Sequence, residues 1–339
     1  MKAVAYSIRP FEKEFLAKAN RKKHEITLIS NPLNLDTVIY AEGKDAVIVF
    51  VHDDVSEQVI KKLANMGIKY LVTRSSGTDH IDKEAAAKYH IKIGKARSYS
   101  PQARAEHVIA LAFTLNRHVV KADEHTHNFD FRGNGLVGFN FSGKTVGVIG
   151  IGKNGLAVAK LFNGLGCQVL GYDMHFPDDT ENIERTTLAN LLANSDIITL
   201  HLPLTTFTKH LINKDTIYQM KDGVMLINTS RGAIIDTIDL LEALKRGKIG
   251  YLGLDVYEYE KGLFFEDHEN DIVKDHLLQR LMQYPNVVVT PHQAYLTKES
   301  LQELADETIK NLDVWQEDMC AARASGDAKE GHVNTPVQN

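Results

Sequence analysis

Three side chains in the later half of the sequence are of the types that move a proton and hold an anion: Arg231, Glu260 and His292. Each follows a short apolar run that reads as a strand, in VMLINTSR, YLGLDVYEYE and VVVTPH. If those strands lie in one open parallel sheet, their carboxyl ends border a common crevice, which is where such sheets bind ligands. An arginine there would clamp a carboxylate through two parallel hydrogen bonds. A histidine would pass a proton to a carbonyl oxygen, and a glutamate would orient the ring and favour its charged form. Together these are the parts that reduction of a 2-oxo acid requires. Each residue also has an ordinary reading, as an exposed arginine, a solvated glutamate in EYEKG and a structural histidine, and spacing alone does not establish that they converge.

A reduction needs a hydride donor, and the stretch TVGVIGIGKNG (145–155) supplies the matching element. An apolar run breaks at Gly150, Gly152 and Gly155, and a helical pattern follows. Glycine in those places allows the tight turn, close approach of a pyrophosphate to the backbone, and close packing of helix on strand. The helix start offers unpaired N–H groups and a positive dipole end to phosphate. The context strengthens a motif that is weak alone: 18 residues past Gly155, the strand CQVLGYD ends in Asp173. A carboxylate there binds the ribose hydroxyls of NAD and repels the 2′-phosphate of NADP. Met174 and His175 follow with no basic residue to receive that phosphate, so NAD is the expected cofactor.

The elements that must position these groups fall into two series. Residues 1–95 alternate KAVAYS, EITLIS, DAVIVF, KYLVTR and IKIG with helical stretches such as 56–66, the pattern of a parallel sheet covered on both faces. Ser100 and Pro101 read as the N-cap and first residue of a long helix, apolar around most of its circumference and suited to burial on two sides. After a loop over 128–143, strands are expected at 145–149, 169–172, 197–202, 224–228, 251–256 and 287–290, with helices between them. That is a doubly wound dinucleotide-binding unit. A helix over 298–315 follows, and a weakly ordered tail is expected from 321. The pair His125 and His127 reads as a solvated extended segment rather than a metal site.

The totals agree with an ordinary globular protein. A chain of 339 residues suits two domains. A formal charge of −5 without a basic block argues against nucleic acid or an acidic membrane as partner. The two cysteines, Cys167 and Cys320, have no disulfide or metal spacing. There is no long apolar run, so a soluble protein of a reducing, cytoplasmic compartment is expected.

Beyond its chemistry, the sequence resembles the D-isomer-specific 2-hydroxyacid dehydrogenases from about Arg9 to Trp315. INTSRG, LDVYEYE and TPHQAYLT match that family's three catalytic segments in order and spacing, and LPLTTFTKHLIN and SYSPQARAEH match two more. The resemblance implies a flavodoxin-like substrate domain (1–99 with 297–339) and a Rossmann NAD-binding domain (100–296), both doubly wound parallel sheets. It implies Arg231 as carboxylate binder, Glu260 as partner of the histidine, and His292 as acid/base. LFFED and HQAYLT are most similar to fermentative D-lactate dehydrogenases, with larger 2-oxo acids or a non-catalytic NAD(H)-sensing role as the alternatives. Substrate contacts are then expected from Arg9, Ser76, Gly77, Tyr99 and Tyr295. Cofactor contacts are expected from Lys153 and Asn154 at the pyrophosphate, from Leu202, Pro203 and Thr208 along the adenosine, and from Thr229, Ser230 and Asp255 beside the nicotinamide. A homodimer or homotetramer is implied. Arg104 departs from the family, which usually carries a small apolar residue there.

Overall fold

The computed structural model describes residues 1–96, 100–178, 180–271 and 273–330. The chain forms two compact units, Met1–Tyr99 with Thr297–Asn339, and Ser100–Leu296.

In the first unit, strands β1 (Lys2–Ala5), β2 (Glu25–Leu28), β3 (Ala46–Val49), β4 (Tyr70–Thr73) and β5 (Lys92–Lys95) form a sheet in the order β2-β1-β3-β4-β5. Every pairing is parallel. The order is that of a flavodoxin-like sheet, with its switch point between β1 and β3. AVIV in β3 and YLVT in β4 are buried at every position, because both faces are covered and neither needs a polar alternation. Leu63, Leu71 and Val59 fill one face. On the other, Ile309, Leu312 and Trp315 of the helix Lys298–Glu330 pack on Ala3, Ile48 and Val72, with the Trp315 and Tyr70 rings stacked 4.9 Å apart. That helix runs well past the expected end at 315. Of the tail expected to be weakly ordered from 321, the part to Glu330 is helical, and 331–339 lie outside the described residues.

In the second unit, β6 (Thr145–Ile149), β7 (Gln168–Tyr172), β8 (Glu184–Arg185), β9 (Ile197–Leu200), β10 (Val224–Asn228), β11 (Ile249–Leu254) and β12 (Val287–Val289) form a parallel sheet in the order β12-β11-β10-β9-β6-β7-β8. The winding reverses between β6 and β9, the Rossmann switch point. One face packs on Leu191, Leu240 and Leu241, the other on Val108, Leu111 and Phe162. Ser100 caps the helix Pro101–Asn116 as expected, accepting from Ala103 N–H at 3.3 Å. His125 and His127 correct the extended reading: they lie on the helix Val119–His127, where residues two apart do not share a face. No described helix is long and apolar enough to cross a membrane.

Candidate active site

The glycine turn joins β6 to the helix Lys153–Gly164, with Gly152 as N-cap and Lys153 and Asn154 opening the first turn. Gly150 has φ +97°, and a Cβ on it would stand 2.5 Å from the His201 carbonyl oxygen; one on Gly155 would stand 1.9 Å from the Gly150 oxygen. Only glycine allows that turn and that approach of helix to strand. A Cβ on Gly152 would meet nothing within 4 Å, so the space before the helix start is open. Asp173, at the end of β7, accepts from Ile151 N–H (2.7 Å) and His175 N–H (2.9 Å). Its carboxylate is thereby tied to the glycine turn.

Across the switch point, half-buried Leu202 touches the turn, its Cδ2 lying 3.1 Å from the position of a Gly150 Cβ. Pro203 and Thr208 form a small closed loop, in which the Thr208 hydroxyl donates to Pro203 O (2.6 Å) and accepts from Thr205 N–H (2.8 Å). At the end of β10, Thr229 is 5% exposed and its hydroxyl oxygen is buried with no hydrogen-bond partner among the described residues. Ser230 donates its hydroxyl to Asn228 Oδ1 at 2.8 Å. Asn228 Nδ2 in turn donates to Arg231 O (2.8 Å), and Arg231 Nη1 donates to Ser230 O (2.7 Å). The arginine backbone is thus held by a fully buried asparagine.

Glu260 and His292 are brought together: His292 Nδ1 and Glu260 Oε1 lie 2.9 Å apart, with the side chains 16% and 19% exposed. The other glutamate oxygen accepts from Tyr257 N–H at 2.9 Å, and the Phe265 ring lies 5.6 Å from the imidazole. Tyr257 is anchored through its hydroxyl, which donates to Asp275 at 2.9 Å. Burial first, and the Asp275 carboxylate second, push that phenol upward and keep it a donor. His292 itself has φ +52°, sparsely populated for a residue with a side chain. Its N–H donates to Asp255 O (2.8 Å) and Thr290 O (2.9 Å), which hold it there.

Asp255, expected to line the nicotinamide side, directly follows β11. Its side chain is fully buried, and its oxygens accept from Thr290 Oγ1 (2.6 Å), Gln293 N–H (2.8 Å) and Ala294 N–H (2.9 Å). His107 Nε2 lies 3.0 Å from Thr290 Oγ1 and 3.3 Å from Asp255 Oδ1. Because the threonine gives its proton to the aspartate, the network assigns the His107 ring as donor to the threonine. Asp255 therefore holds the loop that carries His292. Sequence reasoning singled out neither His107 nor Thr290, although both stand inside segments it quoted.

Of the expected substrate residues, Tyr295 is 7% exposed. In the first unit, Arg9 follows β1, and Ser76 and Gly77 follow β4, all at the carboxyl edge of that sheet. The turn at 75–77 is braced by Ser75 Oγ donating to Gly77 O at 2.7 Å. Buried Arg74 beside it, also unremarked in the sequence, donates to Tyr6 O (2.9 Å) and pairs with Glu12 (3.3 Å). Tyr99 lies outside the described residues.

Comparison with known proteins accords with this geometry. The family model described as D-isomer specific 2-hydroxyacid dehydrogenase, NAD binding domain, matches residues 109–294. The D-lactate dehydrogenase kk1H of Curvularia clavata is 41% identical over 333 residues, covering 96% of this chain and 95% of that protein. An aromatic 2-oxoacid reductase of Clostridium sporogenes is 38% identical over 315 residues, covering 92% and 95%. The solved structure described as the pyruvate reductase of Chlamydomonas reinhardtii superposes with a TM-score of 0.88 at 41% identity, covering 94% and 97%. The chain belongs to the D-isomer specific 2-hydroxyacid dehydrogenases, oxidoreductases that use NAD, and its second unit is their NAD-binding domain.

Proposed function

We propose that the chain reduces pyruvate to D-lactate, with His292 as the acid, Glu260 as its partner and Arg231 as the carboxylate clamp. The observation that carries this reading is the 2.9 Å contact between His292 Nδ1 and Glu260 Oε1 at the ligand-binding edge of a dinucleotide-binding sheet. The residues present fit the dinucleotide: the glycine turn leaves open space before a helix start, and the buried Thr229 hydroxyl at the carboxyl end of β10 is without a partner among the described residues. Gly150, Gly152, Lys153, Asn154 and Gly155 would hold the pyrophosphate, Asp173 the adenine-side ribose, Leu202, Pro203 and Thr208 the adenosine, and Thr229 and Ser230 the nicotinamide end. When bound, NADH supplies the hydride. His292, with Nδ1 engaged by Glu260, gives its proton from Nε2 to the carbonyl oxygen, and Glu260 stabilises the charged ring before transfer. Arg231 grips the carboxylate and draws electron density from the carbonyl. In the first unit, considered by itself, Arg9 and the backbone N–H groups of Ser76 and Gly77 offer a second anion-binding edge, and Tyr295 in the second unit is an aromatic suited to limiting the oxo-acid side chain.

Pyruvate is favoured by the names of two relatives, a D-lactate dehydrogenase and a pyruvate reductase; the named aromatic 2-oxoacid reductase keeps a larger side chain as the second reading. The test is loss of NADH absorbance with pyruvate against 2-oxo-4-methylpentanoate and phenylpyruvate. Higher kcat/KM with pyruvate is expected, and the reverse order would overturn that choice. No oxidation with any of them would favour a non-catalytic NAD(H) sensor. His292→Ala should lower kcat by about 10²–10⁴ while the NADH Kd stays unchanged; retained turnover would remove His292 from its role.

The same reading includes a second copy of the chain. Phe129, Phe131 and Val137 are 85%, 76% and 84% exposed, in a loop fixed by Asn116, whose side chain bonds both the N–H and the carbonyl of Phe139. A fixed apolar surface is suited to a symmetric partner. Light scattering should give the mass of two or four chains, and a one-chain mass would refute it.

A further inference from the structure

We propose that Arg104 is a cofactor-binding residue of this chain, its guanidinium standing at the switch point of the seven-stranded sheet to grip the pyrophosphate of NAD(H). Arg104 lies one turn into the helix Pro101–Asn116, half-buried between the buried alanines Ala103 and Ala105. One turn further on, His107 reaches Thr290 and Asp255 at the carboxyl ends of β12 and β11. Residues three apart share a helix face, so Arg104 faces that same ligand-binding edge. A second observation gives its place along the edge. His201 follows β9 directly, and its imidazole is held well below its usual range, first by desolvation and second by the positive charge of Arg104. Arg104 is therefore a neighbour of His201, and the His201 carbonyl borders the glycine turn, 2.5 Å from where a Gly150 Cβ would stand. Helix face and neighbour together put the guanidinium beside the gap between β6 and β9.

That gap is where a doubly wound sheet receives a dinucleotide, with the pyrophosphate at the helix start after β6. The helix start contributes backbone N–H groups and a partial charge. Arg104 adds a full charge and a planar fork of donors that match phosphate oxygens. His201 beside it is neutral, so the arginine is not opposed by a charged imidazole and not neutralised by it. Its half-buried position limits the side-chain entropy lost on binding. The inference rests on the NAD-binding domain and is independent of which oxo acid is reduced.

The experiment compares Arg104→Met and Arg104→Lys with the unaltered chain by fluorescence titration of NADH and by displacement with ADP-ribose, which keeps the pyrophosphate, and adenosine, which lacks it. Arg104→Met should weaken NADH and ADP-ribose by about tenfold or more, leave adenosine unchanged and flatten the dependence of NADH affinity on NaCl. Arg104→Lys should recover part of the loss. An NADH Kd changed by less than about twofold, below what a charged hydrogen bond supplies, overturns the proposal. So does equal weakening of adenosine, which marks a general disturbance, or a raised KM for the oxo acid with an unaltered NADH Kd, which places the arginine on the substrate. If Arg104→Met melts early, Arg104→Gln is read against the same outcomes.

Discussion

The two edges of the seven-stranded sheet use carboxylates in opposite ways. At the carboxyl edge, Asp255 is fully buried and accepts from a hydroxyl and two backbone N–H groups, all belonging to the loop that carries His292. At the amino edge, Asp196 precedes β9, has its side chain 30% exposed, and joins Thr145 N–H (2.9 Å) at the start of β6 to Lys221 Nζ (2.9 Å) before β10. Nearby Lys248 pairs with Asp222 at 2.8 Å, the latter 90% exposed. Both edges tie strands together. Only the first turns an aspartate inward, where desolvation is costly unless every lone pair is used. The buried aspartate thereby determines the orientation of one loop, whereas the exposed pairs contribute modest stability.

Breaking the carboxyl edge should have the largest effect. Asp255→Asn keeps the shape but replaces one acceptor with an N–H group that must face donors of Thr290, Gln293 or Ala294. A buried donor left facing a donor destabilises, and the loop relieves this by moving His292. We expect kcat to fall about a hundredfold, the size of a displacement of roughly 1 Å at a reacting group, with a lowered Tm. A kcat within about twofold of the unaltered chain would show that the loop does not need this anchor. Asp173→Asn tests the same edge at its cofactor end, where the carboxylate is only half-buried. Its expected effect is smaller and confined to binding: the NADH Kd rises about tenfold, the size of one charged hydrogen bond, and discrimination against NADPH relaxes. An unaltered Kd and unaltered preference would take Asp173 out of cofactor recognition.

This contrast also explains what could be read in advance. Strands such as AVIV and VMLIN are buried at all positions, so their apolar runs stand out, and the residues just past their ends follow directly. β8 is two exposed residues, Glu184 and Arg185, paired with β7 and with the Arg185 guanidinium over the Phe176 ring, and no local pattern marks it. The Glu260 and His292 contact was expected from the family resemblance, which pairs the two residues; their positions just past strand ends allowed the contact without establishing it. The roles of Asp255, Thr290 and His107 were not legible. Burial of Asp255 and the 183-residue separation between His107 and Thr290 arise only when helix Pro101–Asn116 packs across the sheet. A histidine on an apolar helix gives no sign of which strand end it will meet.

The smallest effect should come from the amino edge, and it should depend on pH. Burial alone would raise the pKa of Asp196, but the Thr145 N–H and Lys221 outweigh it and hold the carboxyl below its usual value. A carboxyl whose folded pKa is depressed contributes its stability above the unfolded pKa, about 4, and loses it as pH falls through the lower folded value. Asp196→Asn should therefore cost about 1 kcal/mol near neutral pH, where a charged hydrogen bond and a partly screened ion pair are both lost. That corresponds to roughly 2–4 °C in Tm for a unit of this size. The gap between the two chains should close progressively below about pH 4, because the aspartate becomes protonated and resembles the amide. Turnover and NADH affinity should be unaltered, since Asp196 lies at the opposite end of β9 from His201. A Tm difference that persists at low pH would assign the loss to packing rather than charge, and a fall in kcat matching that of Asp255→Asn would erase the distinction between the edges.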